Sequence, residues 1–129
     1  MKIVDSKEMY VLNVDVPRGV VYQKPRGFWK EEDALRFVED MKTKVIPLLE
    51  KKKWVVISDV REYKVSSITE ILNELIAYSH QKGQVGGGII VESALVKMQL
   101  TRSTKSSEIA PVVFTSEEEA EAWLKEQGY

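Results

Sequence analysis

In the run DVREYKVSSITE, an aspartate, Asp59, precedes two adjacent serines, Ser66 and Ser67. A carboxylate and a hydroxyl are the raw material of nucleophilic chemistry. The same residues have a structural reading. Ser67-Ile68-Thr69-Glu70 is a capping box, in which Ser67 Oγ accepts from the Glu70 N–H and the Glu70 carboxylate accepts from the Ser67 N–H. The capping reading is favoured, and Asp59 is read as closing a strand end.

The other reactive residue types are sparse. His80 is the sole histidine and there is no cysteine. A multi-histidine metal site, a thiolate site, a disulfide and a cysteine nucleophile are therefore outside the chain's means. Serine, histidine and aspartate occur without a nucleophile elbow, so catalysis is not expected. The glycines of KGQVGGG follow a helical pattern and open a strand-like one. A phosphate loop has the reverse order, so close packing or a bend at Gly86–Gly88 is expected, with no bound cofactor.

These residues need elements to position them. Tyr10, Leu12, Val14 and Val16 alternate with Met9, Val11, Asn13 and Asp15, the pattern of a half-buried strand. The turn PRG and the run VVYQK then complete a hairpin. From Lys30 the period changes. Ala34, Phe37, Val38, Met41, Val45, Leu48 and Leu49 recur at helical spacing, and Pro47 should kink that helix or end its regular part. Phe28 and Trp29, just before it, are read as packing across the helix start, with an exposed contact as the alternative.

WVVIS suits a strand buried on both faces. Ile68, Ile71, Leu72, Leu75, Ile76 and Ser79 form the inner face of a second helix, stopped by Gly83. GGGIIVE is a further strand and SALVKMQLTRSTKSS a weaker helix. PVVFT is a last strand, and Ser116 with Glu119 caps a final helix carrying Ala120, Trp123 and Leu124 inward.

The resulting order, β-β-α-β-α-β-α-β-α, argues an α/β fold. Its sheet is mixed and mostly parallel, with four to five strands and about four helices. The 129 residues form a single domain, with 43% hydrophobic and 30% charged residues. A formal net charge of −1 gives no electrostatic reason for nucleic-acid binding. No window approaches the ~20 apolar residues of a membrane span. The start of the chain has no signal-peptide pattern, and a cytoplasmic location is expected.

GFWKEEDALRFVEDM before the first long helix, WVVISDV as a strand ending in aspartate, GGGIIVE as the next strand and VVFTSEEEAEAWL at the end together resemble the SpoIIAA-like superfamily. That group includes the STAS domains of anti-sigma-factor antagonists and the related STAS/Sec14 lipid-binding domains. The resemblance runs from about Val20 to the C-terminus. It implies a four- or five-stranded mixed sheet and a non-enzymatic role in binding a protein or a small ligand. It also implies that Asp59 matches the strand-end aspartate, and Ser67 or Ser66 the phospho-acceptor position. The family's Asp-Ser pair is replaced here by Val65-Ser66.

The function expected is a non-catalytic regulatory module acting through a protein partner, with a homodimer left open. The alternative is a carrier of a small apolar molecule or lipid. In that case the first and third helices would flank a pocket lined by Phe37, Met41, Leu95 and Met98. The basic residues Lys97, Arg102 and Lys105 of the third helix are read as a solvated face.

Overall fold

The computed structural model describes residues 1–64, 69–93 and 112–129. The main sheet has six strands in the order β1-β2-β3-β5-β7-β8. These are β1 (Lys2–Val4), β2 (Tyr10–Asp15), β3 (Val20–Pro25), β5 (Trp54–Asp59), β7 (Gln84–Ile90) and β8 (Val112–Phe114). A second ladder pairs β4 (Gly27–Phe28) with β6 (Tyr63–Lys64). The helices are α1 (Glu31–Asp40), α2 (Ile46–Leu49), α3 (Thr69–Gln81) and α4 (Glu117–Glu126).

The mixed α/β class and the mostly parallel sheet agree with the sequence. The β1–β2 and β2–β3 pairs are antiparallel, whereas β3–β5, β5–β7 and β7–β8 are parallel. The expected strand count of four to five is too low. β1 escapes notice because three residues are too short to show a period. It is held by its register on β2, Ile3 against Leu12, and by the Met1 ammonium donating to Val14 O at 3.0 Å. The two-residue strands β4 and β6 carry no pattern at all.

The β2–β3 hairpin turns at Gly19, whose φ of 71° favours glycine. In β5, Trp54 and Val56 face one side while Val55 and Ile57 face the other, and each side has its own core. On the first side, Tyr10, Leu12, Trp29, Phe37, Met41 and Leu49 pack beneath α1, α2 and α3. On the second, Val20, Ile57, Ile90 and Phe114 pack against Ala120 and Leu124 of α4. Successive parallel strands are added in one direction, from β3 to β5 to β7. Right-handed crossovers then bring α1 and α3 to the same face, and this shared face creates the site below.

Pro47 acts where expected. A π turn over Met41–Val45 separates α1 from α2, and Ile46 N–H donates to Met41 O, five residues back. The wider turn accommodates the missing proline N–H. It keeps Met41, Val45 and Leu49 buried, whereas Leu48, expected inward, is largely exposed. The α3 helix ends just before Gly83, whose φ is 106°. In β7, Gly87 and Gly88 serve close packing, whereas Gly86 has open space around it. A Cβ on Gly88 would lie 2.4 Å from Phe114 Cε2, and one on Gly87 would lie 2.6 Å from Val56 O.

Candidate functional site: an apolar cleft between the sheet and two helices

The sheet face under α1 and α3 is not completely filled. A cavity of about 290 Å³ lies between it and the two helices. Its floor is built from β3, β5 and β7. Side chains alternate along a strand, so Gln23 and Pro25 of β3, Val56 and Ser58 of β5 and Ile89 of β7 all reach this face. Gln23 is in register with Ser58, and Ser58 with Ile89. They form one row across three strands. Phe37 of α1 and the Leu72, Leu75, Ile76 and Ser79 stripe of α3 form the roof. The stripe has the i, i+3, i+4, i+7 spacing of a single helix face. Trp29 and Tyr63, next to or within the β4–β6 ladder, complete the wall and meet edge-on at 5.5 Å between ring centroids.

The polar atoms in this apolar setting are few. Ser58 Oγ donates to Gln23 Oε1 at 2.5 Å, and Gln23 Nε2 approaches Met41 Sδ at 3.6 Å. The Trp29 indole N–H is engaged away from the cavity, with Met9 O and Arg26 O both at 3.1 Å. Gln84 Nε2 donates to Gly86 O at 3.0 Å. Ser79 is 3% exposed, and among the described residues its hydroxyl has no hydrogen-bond partner.

Asp59 lies elsewhere. It follows Ser58, so its side chain projects to the opposite, α4 face, and it is 7% exposed. Arg61 clamps it, with Nε donating to Oδ1 at 2.8 Å and Nη2 to Oδ2 at 2.7 Å. The Arg61 N–H adds a bond to Oδ1 at 3.2 Å, and Arg61 also reaches Glu117 at 3.1 Å. Burial alone would raise the Asp59 pKa, but the Arg61 bonds outweigh it and hold the carboxyl below its usual range. At neutral pH Asp59 is an ionised anchor for its loop. On the same face Tyr22 donates to Glu121, which Arg18 also binds at 3.2 Å. Burial and that bond push the Tyr22 phenol up to about 12.

The sequence candidates are thus distributed over two faces. Phe37 lines the cleft. Met41 is buried in the core beside it and touches the cleft through Gln23. Asp59 is on the other side of the sheet. Ser66, Ser67, Leu95, Met98, Lys97, Arg102 and Lys105 lie outside the described residues. The reading of Phe28 and Trp29 as a packed pair is corrected for Phe28. Trp29, just past the end of β4, is buried among Tyr10, Phe37 and Tyr63 with its indole N–H bonded to Met9 O and Arg26 O, whereas Phe28, within β4, is 60% exposed. His80 Nδ1 lies 2.8 Å from Gln84 O, closing the end of α3.

Gln23, Ser58 and Trp29 were not singled out in the sequence as cleft residues. For Gln23 and Ser58 the signal is a polar residue at a position whose strand neighbours two residues away are apolar, as Ser58 is beside Val56. Among the described residues no group of three or more His, Cys, Asp or Glu could hold a metal ion. Among them also, no helix is long and apolar enough to cross a membrane. Comparison with protein-family models, with curated proteins and with solved structures finds no match to this chain.

Proposed function

We propose that this chain is a non-catalytic binding module of the SpoIIAA-like, or STAS-like, kind whose ligand is a small apolar molecule. The observation that carries the proposal is the cleft between the sheet and α1/α3. At about 290 Å³ it is close to the lower limit of ordinary ligand sites, about 300 Å³. It is roughly twice the size of an apolar cavity that admits benzene, about 150 Å³. Its walls are aromatic and aliphatic, with a few polar atoms in fixed places, as in ligand pockets generally. The order of strands and helices after the hairpin supports the STAS-like part of the reading.

The test is native mass spectrometry of freshly purified protein, together with thermal unfolding in the presence of toluene. A ligand-sized mass increment, or a toluene-dependent rise in Tm that Leu72→Trp abolishes by filling the cleft, is the expected result. A bare mass combined with a Tm indifferent to toluene overturns the proposal.

One observation favours a second reading, a module that acts through protein contacts. Phe28 presents a largely exposed ring on the β4–β6 ladder, beside the wall formed by Trp29 and Tyr63. A photo-crosslinking residue at position 28 should then give one defined protein adduct in cells. A diffuse set of adducts, or none, removes this reading.

A further inference from the structure

We infer that the cleft selects an uncharged molecule with a hydrocarbon body and one hydroxyl or carbonyl oxygen, and that the hydroxyl of Ser79 reads that oxygen. The inference rests on the cleft being a ligand site and specifies the ligand's chemistry.

Three neighbours of Ser79 on its helix stripe, Leu72, Leu75 and Ile76, are apolar. A serine at the fourth place costs helix propensity and buries a hydroxyl. Two other hydroxyls among the described residues have partners. Thr43 Oγ1 donates back to Glu39 O at 2.7 Å, and Ser58 Oγ donates to Gln23 at 2.5 Å. Ser79 lines the cavity at 3% exposure with no such partner among the described residues. A buried polar group is normally hydrogen-bonded, and one that is not points to a missing partner. The cavity that Ser79 borders is where that partner can sit.

The chemistry of the partner follows from what surrounds it. The described lining residues carry the hydroxyls of Ser58, Tyr63 and Ser79 and the side-chain amides of Gln23 and Gln84. These suit a neutral oxygen that accepts or donates a hydrogen bond. A carboxylate taken into the same space would give up its hydration and would need a cation beside it, which the described lining residues do not supply. The volume limits the body to a short or compact hydrocarbon.

The experiment titrates 1-hexanol, hexanoate and toluene separately into the 129-residue chain at pH 7, with affinities read from amide shifts of α3 by NMR. 1-Hexanol should bind more tightly than hexanoate. Ser79→Ala should weaken 1-hexanol about two- to tenfold, the range of one net hydrogen bond. It should leave the toluene affinity unchanged. The ligand-free variant should unfold at the same Tm as the parent or higher, since it no longer buries an unpaired hydroxyl.

Toluene binding with a 1-hexanol affinity indifferent to Ser79→Ala overturns the role of Ser79 while the cleft stands as a site. Hexanoate binding more tightly than 1-hexanol overturns the uncharged class. Failure of all three probes to bind overturns the cleft reading and this inference with it.

Discussion

Replacing Arg36 with methionine should be one of the most damaging single changes outside the cleft. Arg36 lies on α1 and serves two carboxylates that are almost wholly buried, with side chains 2% exposed for Asp5 and 7% for Asp33. Its Nε and Nη2 donate to the two oxygens of Asp5, each at 2.9 Å. Nη2 also donates to Asp33 Oδ1 at 2.6 Å. Backbone groups also donate to these carboxylates, the Met9 N–H to Asp5 Oδ2 at 3.0 Å and the Lys30 N–H to Asp33 Oδ2 at 2.8 Å. The methionine keeps most of the packing volume and removes the charge. Two adjacent carboxylates then stay buried without a cation. Breaking such a pair costs about 3–5 kcal/mol, a large part of the ~5–15 kcal/mol of a typical domain. With a urea m value of about 2 kcal/mol per molar, the midpoint should fall by on the order of 2 M.

The pH dependence makes the argument specific. Arg36 bonding is the largest influence on Asp5 and lowers its pKa. For Asp33, burial raises the pKa, but the Lys30 N–H and Arg36 outweigh it and the net direction is down. Carboxyls lowered in the folded state stabilise it above their unfolded pKa of about 4, and that contribution fades as pH falls through the folded values. In the variant both acids are pushed up and gain relief on protonation. The stability gap between parent and variant should therefore be widest at pH 6–7 and narrow steadily below about pH 4. Urea unfolding followed by circular dichroism at pH 7, 5 and 3 reads this directly. A gap under about 1 kcal/mol at pH 7, or one equal at pH 7 and pH 3, would refute the reasoning about a coupled buried network.

Three further changes test other parts of the fold. Asp59→Asn removes the charge that Arg61 clamps and should cost about 1.5–3 kcal/mol at neutral pH. Because the Asp59 carboxyl is lowered in the folded state, that difference should shrink as pH falls below about 4 in chemical unfolding. Gly88→Ala places a Cβ 2.4 Å from Phe114 Cε2 and should lower stability by about 1–3 kcal/mol. Thermal unfolding of the double variant with Phe114→Leu should recover part of the loss, and no recovery would point to a cause other than this clash. Ser116 Oγ accepts the Glu119 N–H at 3.2 Å at the start of α4, so Ser116→Ala should cost about 1 kcal/mol, measurable by urea titration.

Much of the secondary structure was legible because local burial leaves a local pattern. Tyr10, Leu12 and Val14 announce a strand by period two, and Ser79 falls in line with Leu72, Leu75 and Ile76 by helical spacing. Gly83 and Pro47 punctuate through their own backbone chemistry, so the end of α3 could be placed and an interruption expected at Pro47, although the irregular turn lies just before it, over Met41–Val45. The failures have equally physical causes. β1, β4 and β6 are too short to carry a period; β1 is held by its pairing with the next strand, β2, and β4 and β6 by pairing with each other across more than thirty residues. Phe28 and Trp29 are adjacent aromatics with the same intrinsic drive to be buried. Only tertiary contacts, the β4–β6 ladder at Phe28 and the hydrogen bonds and rings around Trp29, decide that one goes inward and the other outward.

The cleft shows the same division. Residue by residue, the sequence determines that Gln23 and Ser58 interrupt apolar strands and that Ser79 interrupts an apolar helix face. It also determines that Asp59, one residue beyond Ser58, must point to the opposite side of the same strand. It does not determine that positions 23, 58 and 79 meet. The register of Gln23 on Ser58 and the shared face of α1 and α3 do that, and both depend on contacts between segments far apart in the chain. Periodicity records how each segment meets solvent, whereas a cavity is the space left when several segments meet one another, so the elements could be read in advance and the site could not.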